Sequence, residues 1–169
     1  HLIETKNDAL SYKNLLNKKM AYITQTTLSV DDTAEIIKIL KKKFPNIKGP
    51  KREDICYATT NRQLAVKKIA PLCDIIFVIG SKNSSNSLRL VEVAKRSGCK
   101  NTFLIDSKEE CEINNINKYK NIGITSGASA PEKLVFDLID EIKKKAQVEL
   151  KEIEVAKEGV SFKLPKNLN

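Results

Sequence analysis

The five-residue run Ile75-Ile76-Phe77-Val78-Ile79 constrains this chain more than any other stretch. A strand with one wet face alternates apolar and polar residues. An uninterrupted β-branched run instead suits a strand covered on both faces, the situation of a parallel sheet packed between helices. The polar loop Gly80-Ser81-Lys82-Asn83-Ser84-Ser85-Asn86-Ser87 follows it. Leu88, Val91 and Ala94 then mark a helix ending at Gly98, a suitable residue just past a helix end.

The same unit, strand then polar loop then capped helix, recurs along the chain. Met20–Thr24 reads as a strand, and Ser29 with Asp32 as a capping-box-like start for a helix carrying Ile36, Ile37 and Leu40 before Pro45. Thr60-Asn61-Arg62-Gln63 predicts a second capping box, on a helix through Val66, Ile69 and Ala70 that stops near Pro71. Thr102–Ile105 is the next strand, with Ser107 to Glu110 capping a short helix. Asn121–Thr125 is a further strand. It leads to Ser129-Ala130-Pro131-Glu132, a capping box with a proline in the first turn, and the stripe Leu134, Val135, Leu138, Ile139 and Ile142. Asp8 to Leu16 suggests a short amphipathic helix, Pro45 to Pro50 a connector or edge strand, Asn114 to Lys120 a loop, and Val160–Pro165 an alternating edge strand. Alternation at this spacing predicts an α/β fold with a mostly parallel sheet.

Length and composition set the bounds. A chain of 169 residues, 41% hydrophobic and 30% charged, can bury one good core, or one domain plus part of another. No apolar run approaches the roughly 20 residues of a membrane span. The chain opens on His1-Leu2-Ile3 without an initiator Met or a recognisable signal or transit peptide, as an internal stretch of a longer protein would. The net charge of +9 falls largely in Lys41-Lys42-Lys43 and Lys143-Lys144-Lys145, at predicted helix ends where lysine suits the helix dipole. With aromatics at 5% and no arginine-rich patch, this is a solvated surface rather than a nucleic-acid interface. The four cysteines, Cys56, Cys73, Cys99 and Cys111, include no C-x-x-C pair, and the only histidine is His1, so a self-contained zinc site is not expected. A core of this size needs no disulfides, which points to a reducing compartment.

In such a sheet the ligand sits beyond the carboxyl ends of the strands. Thr24-Gln25-Thr26-Thr27, Thr59-Thr60-Asn61, Ser84-Ser85-Asn86 and Ser126-Gly127-Ala128-Ser129 would gather there. Small hydroxyls and helix N-terminal N–H groups offer short, directed donors to an anion. One cap uses one side chain, so the density of Ser81 to Ser87 exceeds capping needs, and Lys82 adds a possible cation. No loop is a P-loop or a G-x-G-x-x-G. Cys56 stands at the end of a short apolar run beside the hydroxyls of Tyr57-Ala58-Thr59-Thr60. It is the cysteine placed for a metal or redox role, the alternative being an inert buried thiol. Cys73 reads as a small core hydrophobe, Cys99 as a loop residue and Cys111 as part of a charged helix. With no internal histidine and carboxylates mostly on charged helices, conventional acid–base catalysis has little support.

Four segments in order, Thr24–Ser29, Asp54–Gln63, Gly80–Ser87 and Gly127–Pro131, resemble the signature segments of the 4-hydroxy-3-methylbut-2-enyl diphosphate reductases, the last enzymes of the non-mevalonate isoprenoid pathway. The resemblance implies a reductive dehydration giving isopentenyl and dimethylallyl diphosphate. It also implies a [4Fe–4S] cluster on three cysteines with one iron open to the substrate hydroxyl. By position Cys56 would be the third cluster ligand. Thr26, Ser84, Ser85, Asn86 and Ser129 would hold the diphosphate or its hydroxyl–water network, Thr26 with a catalytic part, and Thr59 would be a supporting hydroxyl. The family fold is a trefoil of three α/β domains around the cluster. Residues 1–50 would then be part of the middle domain and 51–169 the third domain with its tail. The other two cysteines, the histidines that contact the diphosphate and the acidic proton donor would lie upstream, so the chain alone would be inactive. The resemblance implies a ferredoxin or flavodoxin electron donor and no nucleic-acid or membrane partner. It places the protein in a bacterial cytoplasm or a plastid, and the Lys/Asn-rich composition favours a plastid. The competing class is a non-catalytic phosphometabolite-binding α/β module.

Overall fold

The computed structural model describes residues 1–14, 18–51, 54–111 and 113–156. Its helices are α1 (Lys6–Ser11), α2 (Val30–Lys43), α3 (Tyr57–Ile69), α4 (Ser85–Arg96) and α5 (Glu132–Lys145). Its strands are β1 (Ile75–Ile79), β2 (Thr102–Ile105) and β3 (Ile122–Ser126), in one parallel sheet ordered β2-β1-β3. The apolar run is thus the central strand, and all five of its residues are buried.

The two-residue side-chain period of a strand divides β1 between two cores. Ile76 and Val78 pack with Val66 and Ala70 of the α3 end and with Leu90, Val93 and Ala94 of α4. Ile75, Phe77 and Ile79 pack with Ile105, Ile116, Leu138 and Ile142, under α5 and a 3-10 segment at Ile113–Lys118. Fully burying each of these aliphatic side chains stabilises the fold by about 1.5–3 kcal/mol. Helices therefore cover both faces, the doubly wound arrangement expected of an α/β chain.

Several local expectations shift. Met20–Thr24 forms no strand, only a parallel bridge between Ala21 and Lys48, and Ile23 is exposed. The first helix is α1, capped by Thr5 with Asp8 completing a capping box, and Leu10 on it is exposed. Leu15, Leu16 and Val160–Pro165 lie outside the described residues. On α4 the buried face is Leu90, Val93 and Ala94, so of the expected stripe Ala94 is buried while Leu88 is exposed. Gly98 adopts a φ of 121° just past the helix end, as expected of the residue that reverses the chain there. Cys99 lies in the loop after Gly98, as expected, with its side chain buried against the α3–α4 core.

Two helix starts also move. α3 begins at Tyr57 with Cys56 as N-cap, because the Cys56 carbonyl already accepts the Thr60 N–H at 3.0 Å. Gln63, expected to close a capping box with Thr60, is instead buried: its Oε1 accepts the Val30 N–H and its Nε2 donates to the Leu28 carbonyl. α5 begins after Pro131, not at Ser129. Proline disfavours the helical conformation in the residue before it, which excludes Ala130 as a first helical residue.

Candidate functional site at the carboxyl edge of the sheet

A helix that leads directly into a parallel strand starts at that strand's carboxyl end. α3 has 13 residues, about 20 Å of helix, and β1 has five, about 16 Å of strand. The lengths match, so Cys56 falls at the carboxyl edge and Cys73, between α3 and β1, at the amino edge. β1 feeds α4 on one face and β3 feeds α5 on the other. The loops after β1 and β3 therefore part at the switch point of the order β2-β1-β3, where such sheets open a ligand crevice.

The hydrogen bonds of that edge draw the polar segments together. The Cys56 N–H donates to the Thr26 carbonyl at 3.1 Å, and the Thr24 N–H donates to Asp54 Oδ2 at 2.8 Å. With the Gln63 bonds to Leu28 and Val30, this fixes the Thr24–Ser29 segment against the start of α3. Arg62 Nη1 donates to Ser126 Oγ at 3.3 Å, joining α3 to the end of β3. The Gly127 N–H donates to the Ile79 carbonyl at 2.8 Å, and Gly80 N–H to the Ile105 carbonyl at 2.9 Å, so all three strand ends are held in register.

Within this frame the first turn of α4 is unusual. Ser84 is its N-cap and accepts the Ser87 N–H at 3.3 Å. Ser85 is exposed, whereas Asn86 and Ser87 are buried at 6% and 1% exposure. Asn86 Oδ1, Asn86 Nδ2 and Ser87 Oγ are fully buried and have no hydrogen-bond partner. Leaving such a group unpaired costs about 1–3 kcal/mol, so three adjacent ones at a helix N-terminus are a feature that folding alone does not favour. A pocket of about 230 Å³ opens beside it, lined by Gly80, Ser81, Ser129, Ala130 and Pro131, with Asp106 on its wall. Ser129 is exposed there and is not used as a helix cap. Thr26 is exposed next to Cys56, while Thr59, in the first turn of α3, is buried at 2% exposure.

Lys82, a candidate cation, turns away. It pairs with Glu110, whose carboxylate holds the ammonium above its ordinary value, while Lys82 in turn holds Glu110 low. Both line a larger, mainly apolar cavity of about 340 Å³ beside β2, away from the hydroxyl loops. The cation directed at those loops is Arg62, which sequence reading had not singled out. Placing the helix start at Thr60 hid its position on the side facing β3. Ser87 was likewise passed over. Its signal lay in the spacing, three residues after the capping serine.

The half-buried Cys56 thiol stands at the N-cap of α3 and makes no capping hydrogen bond, so its sulfur is not used by the helix. Burial pushes the Cys73 thiol up, with Cys99 and Asp74 adding to the effect, and Cys73 packs against the core as expected. Among the described residues no group of three His, Cys, Asp or Glu side chains could hold a metal ion. Cys56 is thus a single soft donor at this edge, and the described residues around it do not make a ligand set by themselves.

These features define an α/β protein of the doubly wound class with an open crevice at its switch point. The chain belongs to the LytB protein family, which it matches over residues 1–143. It is 51% identical over 167 residues to the 4-hydroxy-3-methylbut-2-enyl diphosphate reductase of Ehrlichia ruminantium (strain Gardel), covering 99% of this chain and 50% of that protein. Its fold matches the structure of the E-1-hydroxy-2-methyl-but-2-enyl-4-diphosphate reductase from Plasmodium falciparum with a TM-score of 0.89 and 38% identity, over 99% of this chain and 53% of that one. A second structure, of (E)-4-hydroxy-3-methyl-but-2-enyl diphosphate reductase, described as the terminal enzyme of the non-mevalonate pathway, matches with a TM-score of 0.52 and 30% identity, over 84% of this chain and 49% of that one. The chain thus spans about half the length of its relatives. None of its described helices is long and apolar enough to cross a membrane.

Proposed function

We propose that this chain supplies one half of the active site of a 4-hydroxy-3-methylbut-2-enyl diphosphate reductase. The reaction is a reductive dehydration: two electrons and two protons enter, water leaves, and isopentenyl or dimethylallyl diphosphate forms. The observation that carries the reading is the set of unpartnered polar atoms on Asn86 and Ser87 at the switch point, on the same sheet edge as the Cys56 thiol. Ser84, Ser85, Asn86 and Ser129 bind the diphosphate with neutral, directed donors, and Thr26, beside Cys56, meets the substrate hydroxyl. Thr59, in the first turn of α3, is a nearby supporting hydroxyl of that site. Cys56 is one thiolate ligand of a [4Fe–4S] cluster, which when bound delivers the electrons.

On this reading residues 1–50 belong to a middle domain and residues 51–169 to the third domain of a trefoil. The remaining cluster ligands and the proton donor come from the amino-terminal part of the same protein, and a ferredoxin or flavodoxin supplies electrons. The curated relative described above is bacterial, which favours a bacterial setting over a plastid. A non-catalytic phosphometabolite-binding module is the second reading; it would use the polar atoms at the start of α4 and leave the Cys56 thiol without a role.

Iron content and the EPR spectrum of the anaerobically reconstituted full-length protein separate the two. The expected result is a reducible cluster that Cys56→Ser loses and Cys73→Ser keeps. Equal iron in the two variants, or none in the parent protein, would leave the binding module as the better reading.

A further inference from the structure

We propose that Ser87 is a positioning residue: its hydroxyl keys the loops after β1 and β3 together at Gly80 and Gly127, and so holds Asn86 in the crevice. The proposal rests on the reading of that crevice as a diphosphate site. An ideal Cβ on Gly80 would stand 2.2 Å from Ser87 Oγ and 2.9 Å from Ser87 Cβ. One on Gly127 would stand 2.3 Å from the same Oγ, 3.5 Å from Ser87 Cβ and 3.9 Å from Asn86 Nδ2. A single buried hydroxyl therefore fills the space above both glycines.

Neither glycine can be explained by backbone freedom, since Gly98 has the only positive φ among the described glycines. What Gly80 and Gly127 supply is close approach. Neither can yield easily, because each donates its N–H to a neighbouring strand end, to Ile105 and Ile79 respectively. On the other side, Ser87 is fixed by its own N–H to Ser84 Oγ and by the helix it begins. The backbone bonds hold the two loops, and one oxygen atom fills the gap they leave between them, directly beside Asn86, the preceding residue.

The geometry makes an asymmetric prediction. Removing Ser87 Oγ leaves a Cβ on Gly127 facing atoms at 3.5 Å, which is ordinary contact, but leaves one on Gly80 still 2.9 Å from Ser87 Cβ. The test measures the Kd for inorganic pyrophosphate and the Tm of full-length variants. Gly127→Ala is expected to weaken pyrophosphate binding about 10-fold or more. Adding Ser87→Ala should restore it to within about 3-fold of the Ser87→Ala single variant. Gly80→Ala should not be rescued by Ser87→Ala but should be rescued by Ser87→Gly. Ser87→Ala alone should keep Tm within a few degrees while weakening binding about 3- to 10-fold, a split that a purely structural serine would not give. If Gly127→Ala fails to fold, the same pattern of rescue is read in Tm, with the Ser87→Ala binding loss deciding for positioning. Unaltered binding by Gly127→Ala, or no coupling to Ser87, overturns the proposal. A parent protein that does not bind pyrophosphate refutes the diphosphate reading itself.

Discussion

The two edges of one sheet are built on opposite rules. At the amino edge the polar groups around the entry to β1 are paired. Asp74 Oδ2 accepts the N–H groups of Lys120 and Asn121, both at 2.9 Å, its own N–H donates to the Asn121 carbonyl, and its carbonyl receives Asn101 Nδ2. The buried Thr102 hydroxyl donates to the Cys99 carbonyl at 2.7 Å. At the carboxyl edge, a strand's length away, Asn86 and Ser87 bury three polar atoms with no partner. Folding alone would favour the first arrangement at both ends. On the proposed function, the difference puts stability at one edge and binding at the other.

Paired substitutions across the sheet can break that division. The largest contrast lies in the cysteines: Cys56→Ser should remove most of the iron from the full-length protein and nearly all its activity, and Cys73→Ser should do neither. Asn86→Ala is next. A hydrogen bond to a charged group is worth about 1.5–3 kcal/mol, so kcat/KM should fall roughly 10- to 150-fold. Tm should hold or rise, because the variant removes two unpaired buried atoms. A Tm loss matching the activity loss would mean Asn86 is structural. Ser129→Ala sharpens the point, since a serine capping α5 would cost about 1 kcal/mol on replacement. With Pro131 as the N-cap, unfolding should be unchanged while pyrophosphate binding weakens several-fold. Asp74→Ala is the converse: about 1 kcal/mol of stability lost, with pyrophosphate binding intact.

The sequence was most legible where one physical rule acts alone. Burial on both faces forces an uninterrupted apolar run, so β1 was located to the residue. Helix starts were harder, because Thr60 and Ser129 satisfy the local capping pattern while tertiary contacts and Pro131 decide otherwise. Met20–Thr24 has strand chemistry, but strands need partners, and among the described residues only Lys48 bridges to it. The crevice was legible as a density of small polar residues in excess of caps. Which of them lacked partners was not, since that depends on Gly80 and Gly127 closing over Ser87, and Gly127 lies 40 positions further along the chain.

The smallest predicted effect tests whether charge follows the same division. Arg96, in the last turn of α4 and so near the amino edge, pairs with Asp32 in the first turn of α2 through both carboxylate oxygens, at 3.0 and 2.7 Å. Partial burial disfavours the Asp32 carboxylate, but the hydrogen bonds and charge of Arg96, with a bond from Ser29, outweigh it and hold the group below its ordinary value. A carboxylate lowered in the folded state adds stability that is complete above its unfolded value and is lost as pH falls through the folded one. The pair is solvent-exposed and screened, so its worth is about 0.2–1 kcal/mol. Asp32→Asn should therefore lower Tm slightly near neutral pH. The gap from the parent protein should close as pH drops below about 3.9, the unfolded aspartate value. Pyrophosphate binding at neutral pH should not change. A binding loss in Asp32→Asn would show that the α2–α4 ion pair reaches the crevice, and that the two edges of the sheet are not independent.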